Sequence, residues 1–285
     1  PATALAGLVT GPTSTGVWSG GAGSYNPNSS TLNSIYTPNA AELAAGSVTL
    51  TLTSTANGNC IAGTDKVIIN FTNPPTVNAG ADLSVCKNNL GSVLSGTVSG
   101  PTTTGIWSGG SGSFNPGNSA LTATYTPSPS EITAGVATLT LTSTGNGNCN
   151  AVTDVIVINL TNAPVVSAGA DINSCSNNAN TVLSGVVSGP TTAGVWSGGA
   201  GSFNPGNSAL TATYTPSPAE ISAGVATLTL TSTGNGNCNA VTDIVQINFT
   251  AAPSVNAGVD LSSCKNNPAT ALAGLVTGPT STGVW

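Results

Sequence analysis

The chain has 285 residues, with three Lys or Arg, nine Asp or Glu, no His and a formal charge of −6 at pH 7. A nucleic-acid binder needs a basic surface that neutralises phosphates, and a membrane-surface protein needs a polybasic patch, so the charge excludes both classes. Without His, no Ser/His or Cys/His catalytic pair can form. We therefore expect no enzyme active site, no cofactor and no metal site.

A repeat of 89 residues organises the chain. The segment Gly-Val-Trp that begins at Gly16 recurs, with Ile in place of Val in the second copy, at Gly105, Gly194 and Gly283. Repetition at a fixed period is typical of an array of domains. Prolines mark the joints, and they predict a truncated domain (1–75), two whole domains (76–164 and 165–253) and the start of a fourth (254–285). No apolar run is long enough to span a membrane. Because the chain starts at Pro1 without a signal peptide, we interpret it as a window of a longer mature protein.

The second repeat shows the predicted elements in chain order. Apolar residues alternate from Val77 to Val85, which predicts a first strand, and segments 93–98, 104–108 and 121–126 predict further strands. A helical turn is predicted only at 128–133. Residues 137–142 alternate between apolar and Thr, Asn146-Gly147 indicates a hairpin, and a last strand follows with Ile156, Ile158 and Leu160 inside. About seven short strands per repeat predict an all-β immunoglobulin-like (PKD-like) β-sandwich.

Several side chains are candidates for a site. Trp107 and Trp196 could stack on sugars, and Tyr125 and Tyr214 could take a binding role, but a sandwich more often places such residues in its core, and we expect all four there. The acids of the second repeat, Asp82, Glu131 and Asp154, lie too far apart for a calcium loop and are expected to cap turns or face solvent, with weak calcium binding at domain joints as the alternative. Asn70, Asn159 and Asn248 match the glycosylation pattern, but they lie within a strand. The Gly109–Gly112 segment lacks the Lys and the helix of a phosphate loop, so we expect turns.

Cysteines follow the same period, in the series Cys60, Cys149, Cys238 and the series Cys86, Cys175, Cys264. Their regularity and even number favour disulfides in an extracellular protein. Three pairings fit the period. They are Cys86–Cys149 inside a domain (with Cys175–Cys238 as its copy), Cys60–Cys86 across one joint, and Cys86–Cys238 across the next.

Strand direction distinguishes these pairings. In an immunoglobulin-like sandwich, Cys86 lies at the bottom of its domain and Cys149 at the top, about one strand length apart, whereas a disulfide needs Cα atoms within about 7 Å. In a head-to-tail array the bottom of one domain adjoins the top of the next, which favours Cys86–Cys238. The same arrangement argues against Cys60–Cys86, which would join the top of one domain to the bottom of the next. The pair inside a domain stays open, because an unusual first strand could bring it into range.

The motifs also resemble a known family. The segment Asn78-Ala79-Gly80-Ala81-Asp82, followed by Cys86, Trp107-Ser108-Gly109-Gly110, Tyr125-Thr126-Pro127, Glu131, Gly135, Cys149 and Asp154, resembles the tandem PKD-like or Ig-like repeats of giant Bacteroidota cell-surface proteins, such as gliding adhesins exported by type IX secretion. The resemblance implies an extracellular, cell-surface filament that serves adhesion, motility or prey capture.

Two functions are compatible with these features of the sequence. In the first, the repeats form a rigid, disulfide-stiffened stalk, in contact with neighbouring repeats and with lateral copies of the same chain. In the second, each repeat carries a carbohydrate- or surface-binding site, and repetition gives avidity. The first is favoured because no polar cluster is left over after the core is filled, whereas exposed Trp or Tyr on a repeated face would favour the second.

Overall fold

The structure is a computed structural model that describes residues 2–285; Pro1, the first residue of the predicted 1–75 domain, lies outside them. The chain divides into two compact units. Unit 1 contains Pro1–Asn78, Gly96–Ile106 and Leu141–Asp154, and unit 2 contains Ala79–Ser95, Trp107–Thr140 and Val155–Trp285. The second repeat contributes residues to both units. The predicted domain boundaries at 75, 164 and 253 stay a prediction.

The first three repeats are each built from short strands and one short helix. The first has β1 (Thr3–Ala4), β2 (Gly16–Ser19), β3 (Ser24–Asn26), β4 (Ile35–Thr37), α1 (Ala40–Ala45), β5 (Ser47–Ser54) and β6 (Thr64–Asn70). The second has β7 (Thr76–Asn78), β8 (Leu83–Cys86), β9 (Ser92–Val93), β10 (Thr97–Ser99), β11 (Thr104–Gly109), β12 (Ser113–Asn115), β13 (Thr124–Thr126), α2 (Pro129–Ala134), β14 (Val136–Thr144) and β15 (Thr153–Thr161).

The third repeat has β16 (Val165–Ser167), β17 (Ile172–Cys175), β18 (Thr181–Val182), β19 (Val186–Ser188), β20 (Ala193–Gly198), β21 (Ser202–Asn204), β22 (Thr213–Thr215), α3 (Pro218–Ala223), β23 (Val225–Thr233) and β24 (Thr242–Thr250). The last segment has β25 (Ser254–Asn256) and β26 (Leu275–Thr277), which pair antiparallel.

The third repeat, which lies entirely in unit 2, shows how the layers are arranged. Its main sheet has the strand order β17-β24-β23-β20, and two smaller sheets are β16-β19 and β18-β22-β21. The core contains side chains of both layers, among them Val187, Trp196, Tyr214, Leu228 and Ile247. Alternation along β23 buries Ala226, Leu228 and Leu230 and directs threonines outward, as a strand with one covered face requires. The predicted class, an all-β immunoglobulin-like sandwich, is confirmed.

The number of strands differs from the prediction, because nine strands build the third repeat rather than about seven. The predicted first strand is two strands, β7 and β8 in the second repeat, and Gly80 between them has φ +91°. β7 pairs antiparallel with β10, whereas β8 pairs parallel with β15. The predicted strand at 93–98 is likewise split into β9 and β10, which belong to different sheets. The alternation of inward and outward positions continues across each break, so the sequence pattern does not reveal that one predicted strand is two.

The predicted helical turn at 128–133 is α2, and its boundaries have local causes. Ser128 is the N-cap, and its hydroxyl accepts a hydrogen bond from the Glu131 amide while the Glu131 carboxylate accepts one from the Ser128 amide. This capping box satisfies two amides that the helix leaves unpaired. Gly135 ends the helix at φ +80°, a left-handed conformation that suits glycine.

The first repeat, in unit 1, has a smaller main sheet. Its order is β2-β5-β6, so β6 is an edge strand, whereas the equivalent β24 is covered by β17. Val67 on β6 is 38% exposed, whereas its counterparts Ile156 and Val245 are fully buried. Within residues 2–285, no helix is long and apolar enough to cross a membrane.

Candidate functional site at a joint between repeats

Cys86 lies where β8 ends, beside the last strand of its own repeat. The parallel register places it opposite Thr161, and the Lys87 amide donates to the Thr161 carbonyl at 2.9 Å. The chain then turns sharply, because the Asn89 amide donates back to the Cys86 carbonyl at 2.9 Å. The Cys86 side chain is fully buried. The two asparagines after it, Asn88 and Asn89, therefore project from a fixed turn.

Cys238 lies in the loop between β23 and β24. Ser232 closes the base of this loop, since its amide donates to the Val241 carbonyl and its hydroxyl accepts from the Val241 amide, both at 2.9 Å. The Asn235 side chain donates to the Ser232 carbonyl, and the Cys238 amide donates to the Asn235 carbonyl at 3.0 Å. The predicted Asn-Gly hairpin is thus present as a longer loop whose inner hydrogen bonds position the cysteine.

Cys86 and Cys238 form a disulfide with a Cα–Cα distance of 4.9 Å, across a sequence separation of 152 residues. Cys86 belongs to the second repeat and Cys238 to the third, so the bond covalently joins adjacent repeats. Both residues lie in unit 2. In an oxidising environment such a bond keeps the two loops together under any thermal motion of the repeats.

Asparagine side chains surround this disulfide and form a set of hydrogen bonds that we call the asparagine clasp (Asn88, Asn89, Asn237 and Asn239). The Asn88 amide group donates to the Asn239 carbonyl, and its oxygen accepts from the Asn239 backbone amide, both at 3.0 Å. Asn239 donates back to the Asn88 carbonyl at 2.7 Å. Asn89 donates to the Asn237 carbonyl at 3.0 Å, and Asn237 donates to the Ser84 carbonyl at 2.9 Å. These five hydrogen bonds all connect the second repeat to the third.

The other four cysteines, Cys60, Cys149, Cys175 and Cys264, are free thiols. The alternative pairs Cys86–Cys149 and Cys175–Cys238 are therefore not formed, because Cys86 and Cys238 are bonded to each other. Cys149 and Cys238 share one equivalent contact: Cys149 Sγ lies 3.6 Å from the Asn73 carbonyl, and Cys238 Sγ lies 3.6 Å from the Asn162 carbonyl, one repeat later.

The aromatic candidates are core residues in this structure. Trp107, Trp196, Tyr125 and Tyr214 are all fully buried. Each indole donates to a carbonyl in the turn before β13 or β22, Trp107 to Leu121 at 3.2 Å and Trp196 to Leu210 at 3.1 Å. A buried indole needs an acceptor for its one N–H donor, and these carbonyls supply it. Because both rings are fully buried, neither face is available to a sugar.

Tyr125 forms a buried polar pair with Glu131. Its hydroxyl donates to both carboxylate oxygens, at 2.8 and 2.9 Å, and accepts from the Gly112 amide at 2.8 Å. Burial, followed by the bond to Glu131, raises the pKa of Tyr125 to about 12. Burial also raises the pKa of Glu131, but hydrogen bonds from Ser128, Tyr125 and Ser111 outweigh it, and the pKa lies below its usual value. Tyr214 with Glu220 repeats the arrangement.

The remaining candidates have structural partners. Asp82 accepts from the Val157 amide at 2.8 Å, which ties β15 to the segment before β8. Among residues 2–285, no group of three or more His, Cys, Asp or Glu side chains could hold a metal ion. Gly109 and Gly110 have positive φ and make the turn after β11. Asn159 and Asn248 lie within β15 and β24, and Asn70 ends β6.

The asparagine clasp is the part of the joint that sequence reasoning missed. A signal was present, because Asn occurs two and three residues after Cys86, Cys175 and Cys264, and Asn precedes Cys60, Cys149 and Cys238. The near-identity of the repeats made this signal uninformative, because residues recur at the same spacing whether or not they make contacts between repeats.

Comparison with known proteins gives no family for this chain. No family model matches it, and no curated protein matches it. Among solved structures it is similar to the I-band fragment I67–I69 of titin (13% identity, TM-score 0.43, 86% of this chain and 91% of that one) and to mouse protocadherin-24 EC1-3 (12%, 0.34, 88% and 94%). It is also similar to the protocadherin gammaB7 EC3-6 cis-dimer structure (16%, 0.34, 85% and 69%). These similarities are too low to carry an argument, and the fold rests on the sheets described above.

Proposed function

We propose that this chain is a structural segment of an extracellular filament or giant surface adhesin, in which the repeats form a disulfide-stiffened stalk. The observation that carries the proposal is the joint itself, a disulfide surrounded by five hydrogen bonds between adjacent repeats. A bond between repeats restricts their relative motion, whereas a disulfide inside a domain would stabilise only that domain. Such bonds persist in oxidising compartments, which supports an extracellular location. A Bacteroidota cell surface and type IX export are part of the proposal through the family resemblance.

Burial of Trp107 and Trp196 supports the stalk over the alternative, a multivalent carbohydrate- or surface-binding module. Sugar binding by repeats commonly needs exposed aromatic platforms, and these indoles are inside the core. Lateral association with further copies of the chain is a separate part of the proposal, motivated by the low charge of 4% charged residues, which leaves little electrostatic repulsion between copies. Light scattering of the 285-residue chain tests it, and a strict monomer at all concentrations would contradict it.

The stalk proposal is tested by the relative motion of the second and third repeats. We expect ¹⁵N relaxation of the oxidised chain to give one common rotational correlation time for the second and third repeats, because the joint makes them tumble together. In the C86S/C238S double variant the correlation times should separate. The matched control is C149S/C175S, which removes two free thiols of the same two sequence series and should behave as the unchanged chain. Independent tumbling of the two repeats in the oxidised, unchanged chain would refute the proposal.

A further inference from the structure

The loops after Cys86, Cys175 and Cys264 differ in the hydrogen bond that the second residue after the cysteine makes. After Cys175, Asn177 Oδ1 accepts a hydrogen bond from the thiol of Cys175 at 3.0 Å. After Cys264, Asn266 Oδ1 does the same at 2.8 Å. In the disulfide-bonded loop, the equivalent Asn88 Oδ1 accepts instead from the backbone amide of Asn239, in the next repeat. The asparagine two residues after the cysteine therefore accepts from the thiol of its own loop where that cysteine is free, and from the neighbouring repeat where the cysteine is disulfide-bonded.

The burial of the cysteine and of this asparagine also differs between the disulfide-bonded loop and the loop with a free cysteine. Cys86 is fully buried and Asn88 half-buried in the joined loop, whereas Cys175 is half-buried and Asn177 exposed in the free one. Asparagine suits this exchange because one side chain offers both donors and an acceptor. It is also uncharged at every pH, so a contact made by asparagine needs no counter-charge in a chain with few charges.

We infer that the asparagine clasp is a recognition device that selects the disulfide partner: it binds the Asn-Cys-Asn segment of the following repeat and thereby positions Cys238 against Cys86. Asn88, Asn89, Asn237 and Asn239 are positioning residues for formation of this disulfide. The clasp acts before the covalent bond, since its hydrogen bonds join the two loops without using either sulfur atom. This inference concerns how the joint assembles and holds whether or not the array serves as a stalk.

The chemistry is ordinary thiol–disulfide exchange with glutathione disulfide as the oxidant. The Cys86 thiolate attacks one sulfur of glutathione disulfide, which forms a mixed disulfide and releases one glutathione thiolate. The Cys238 thiolate then attacks the Cys86 sulfur of the mixed disulfide and releases the second glutathione. Two protein thiols are oxidised, one glutathione disulfide is reduced to two glutathione molecules, and the protons from the cysteines end on the leaving thiolates. The clasp contributes by raising the effective concentration of Cys238 in the second step.

The test is the equilibrium constant of this exchange in the full 285-residue chain. The protein is equilibrated in mixtures of reduced and oxidised glutathione, quenched by alkylation, and the Cys86–Cys238 peptide pair is quantified by mass spectrometry. The N88A/N89A variant loses three of the five hydrogen bonds, and at typical strengths its equilibrium constant should fall about 10-fold or more. The N237A/N239A variant loses the other two and should show a fall of several fold. Mispaired species that contain Cys149 or Cys175 should rise in both variants.

The matched control is N177A/N178A, the same substitution in the free loop of the third repeat, where no Asn-Cys-Asn partner is bound. It should leave the Cys86–Cys238 equilibrium constant unchanged. The urea midpoint of the fully reduced proteins reports whether a variant still folds, and a recognition role should leave it unmoved. If N88A/N89A does not fold, the N237A/N239A pair decides, because its two bonds arise from the other repeat. Unchanged constants in the folded clasp variants, or an equal fall in the control, would overturn the inference.

Discussion

Replacement of Tyr125 by Phe should destabilise the second repeat by about 2–4 kcal/mol. The hydroxyl is fully buried, donates to both oxygens of Glu131 and accepts from the Gly112 amide. A hydrogen bond to a charged group contributes roughly 1.5–3 kcal/mol, and leaving a buried amide without an acceptor costs about 1 kcal/mol or more. Glu131 keeps its bonds from Ser128 and Ser111, so the cost stays well below the loss of the whole network.

Native-state hydrogen exchange of residues 107–126 measures this cost locally, without assuming that the repeats unfold together. Tyr25→Phe is the control, because its hydroxyl bonds only the Gly20 carbonyl at an exposed position and its counterparts are Phe114 and Phe203; it should cost less than about 0.5 kcal/mol. The folded pKa of Glu131 is lowered, so the bond is at full strength above the unfolded pKa of about 4.3 and is lost as the pH falls through the folded pKa. The cost of Tyr125→Phe should shrink over that range. Equal costs for both substitutions at neutral pH would refute the reasoning.

Three further predictions follow from the buried residues. Gly199→Ala should lower the free energy of unfolding of the third repeat by more than about 1 kcal/mol in urea denaturation, because Gly199 has φ +68° and a Cβ there would collide with the Tyr214 hydroxyl. The control is Gly206→Ala, whose added Cβ would meet no neighbouring atom within 4 Å, and it should change that free energy by no more than about 0.5 kcal/mol. Trp196→Ala should cost about 3–5 kcal/mol in the same assay, through the cavity it leaves in the core. The free energy of unfolding should fall as the pH rises from about 10 toward the folded pKa of about 12 of Tyr125 and Tyr214, because the phenols ionise first in the unfolded chain. Urea denaturation followed by circular dichroism measures this free energy at each pH, and a constant value over the range would contradict the raised pKa values.

Sequence reasoning recovered the features that repeat along the chain or follow from local chemistry. The period of 89 residues, the alternation in β14 and β23, and the helical turn at 128–133 are all visible in the residues themselves. The alternation and the helical turn depend on neighbours in sequence, and the period is a repetition of the sequence itself, so amino-acid order records all three directly.

Features that depend on distant partners were missed. Gly80 divides the first predicted strand into β7 and β8, which pair with strands of different sheets, but the alternation of residue types from Val77 to Val85 is uninterrupted. Strand β12 has three residues and gains its regular structure only by pairing with β13. The asparagine clasp was missed because the paired asparagines after Cys86 recur after Cys175 and Cys264, so their presence alone does not show which of them contact another repeat.

The proposed stalk requires that the joint locks adjacent repeats, and stretching single molecules from their two ends tests this most directly. In the oxidised chain, the 152-residue separation between Cys86 and Cys238 cannot extend, whatever unfolds around it. At the length of a fully extended residue, this segment stores about 500 Å of chain. We predict that reduction with dithiothreitol adds about 500 Å to the total unfolded contour length and that the C86S/C238S variant shows the longer value without reductant. The same contour length in the oxidised and reduced chains would contradict the account.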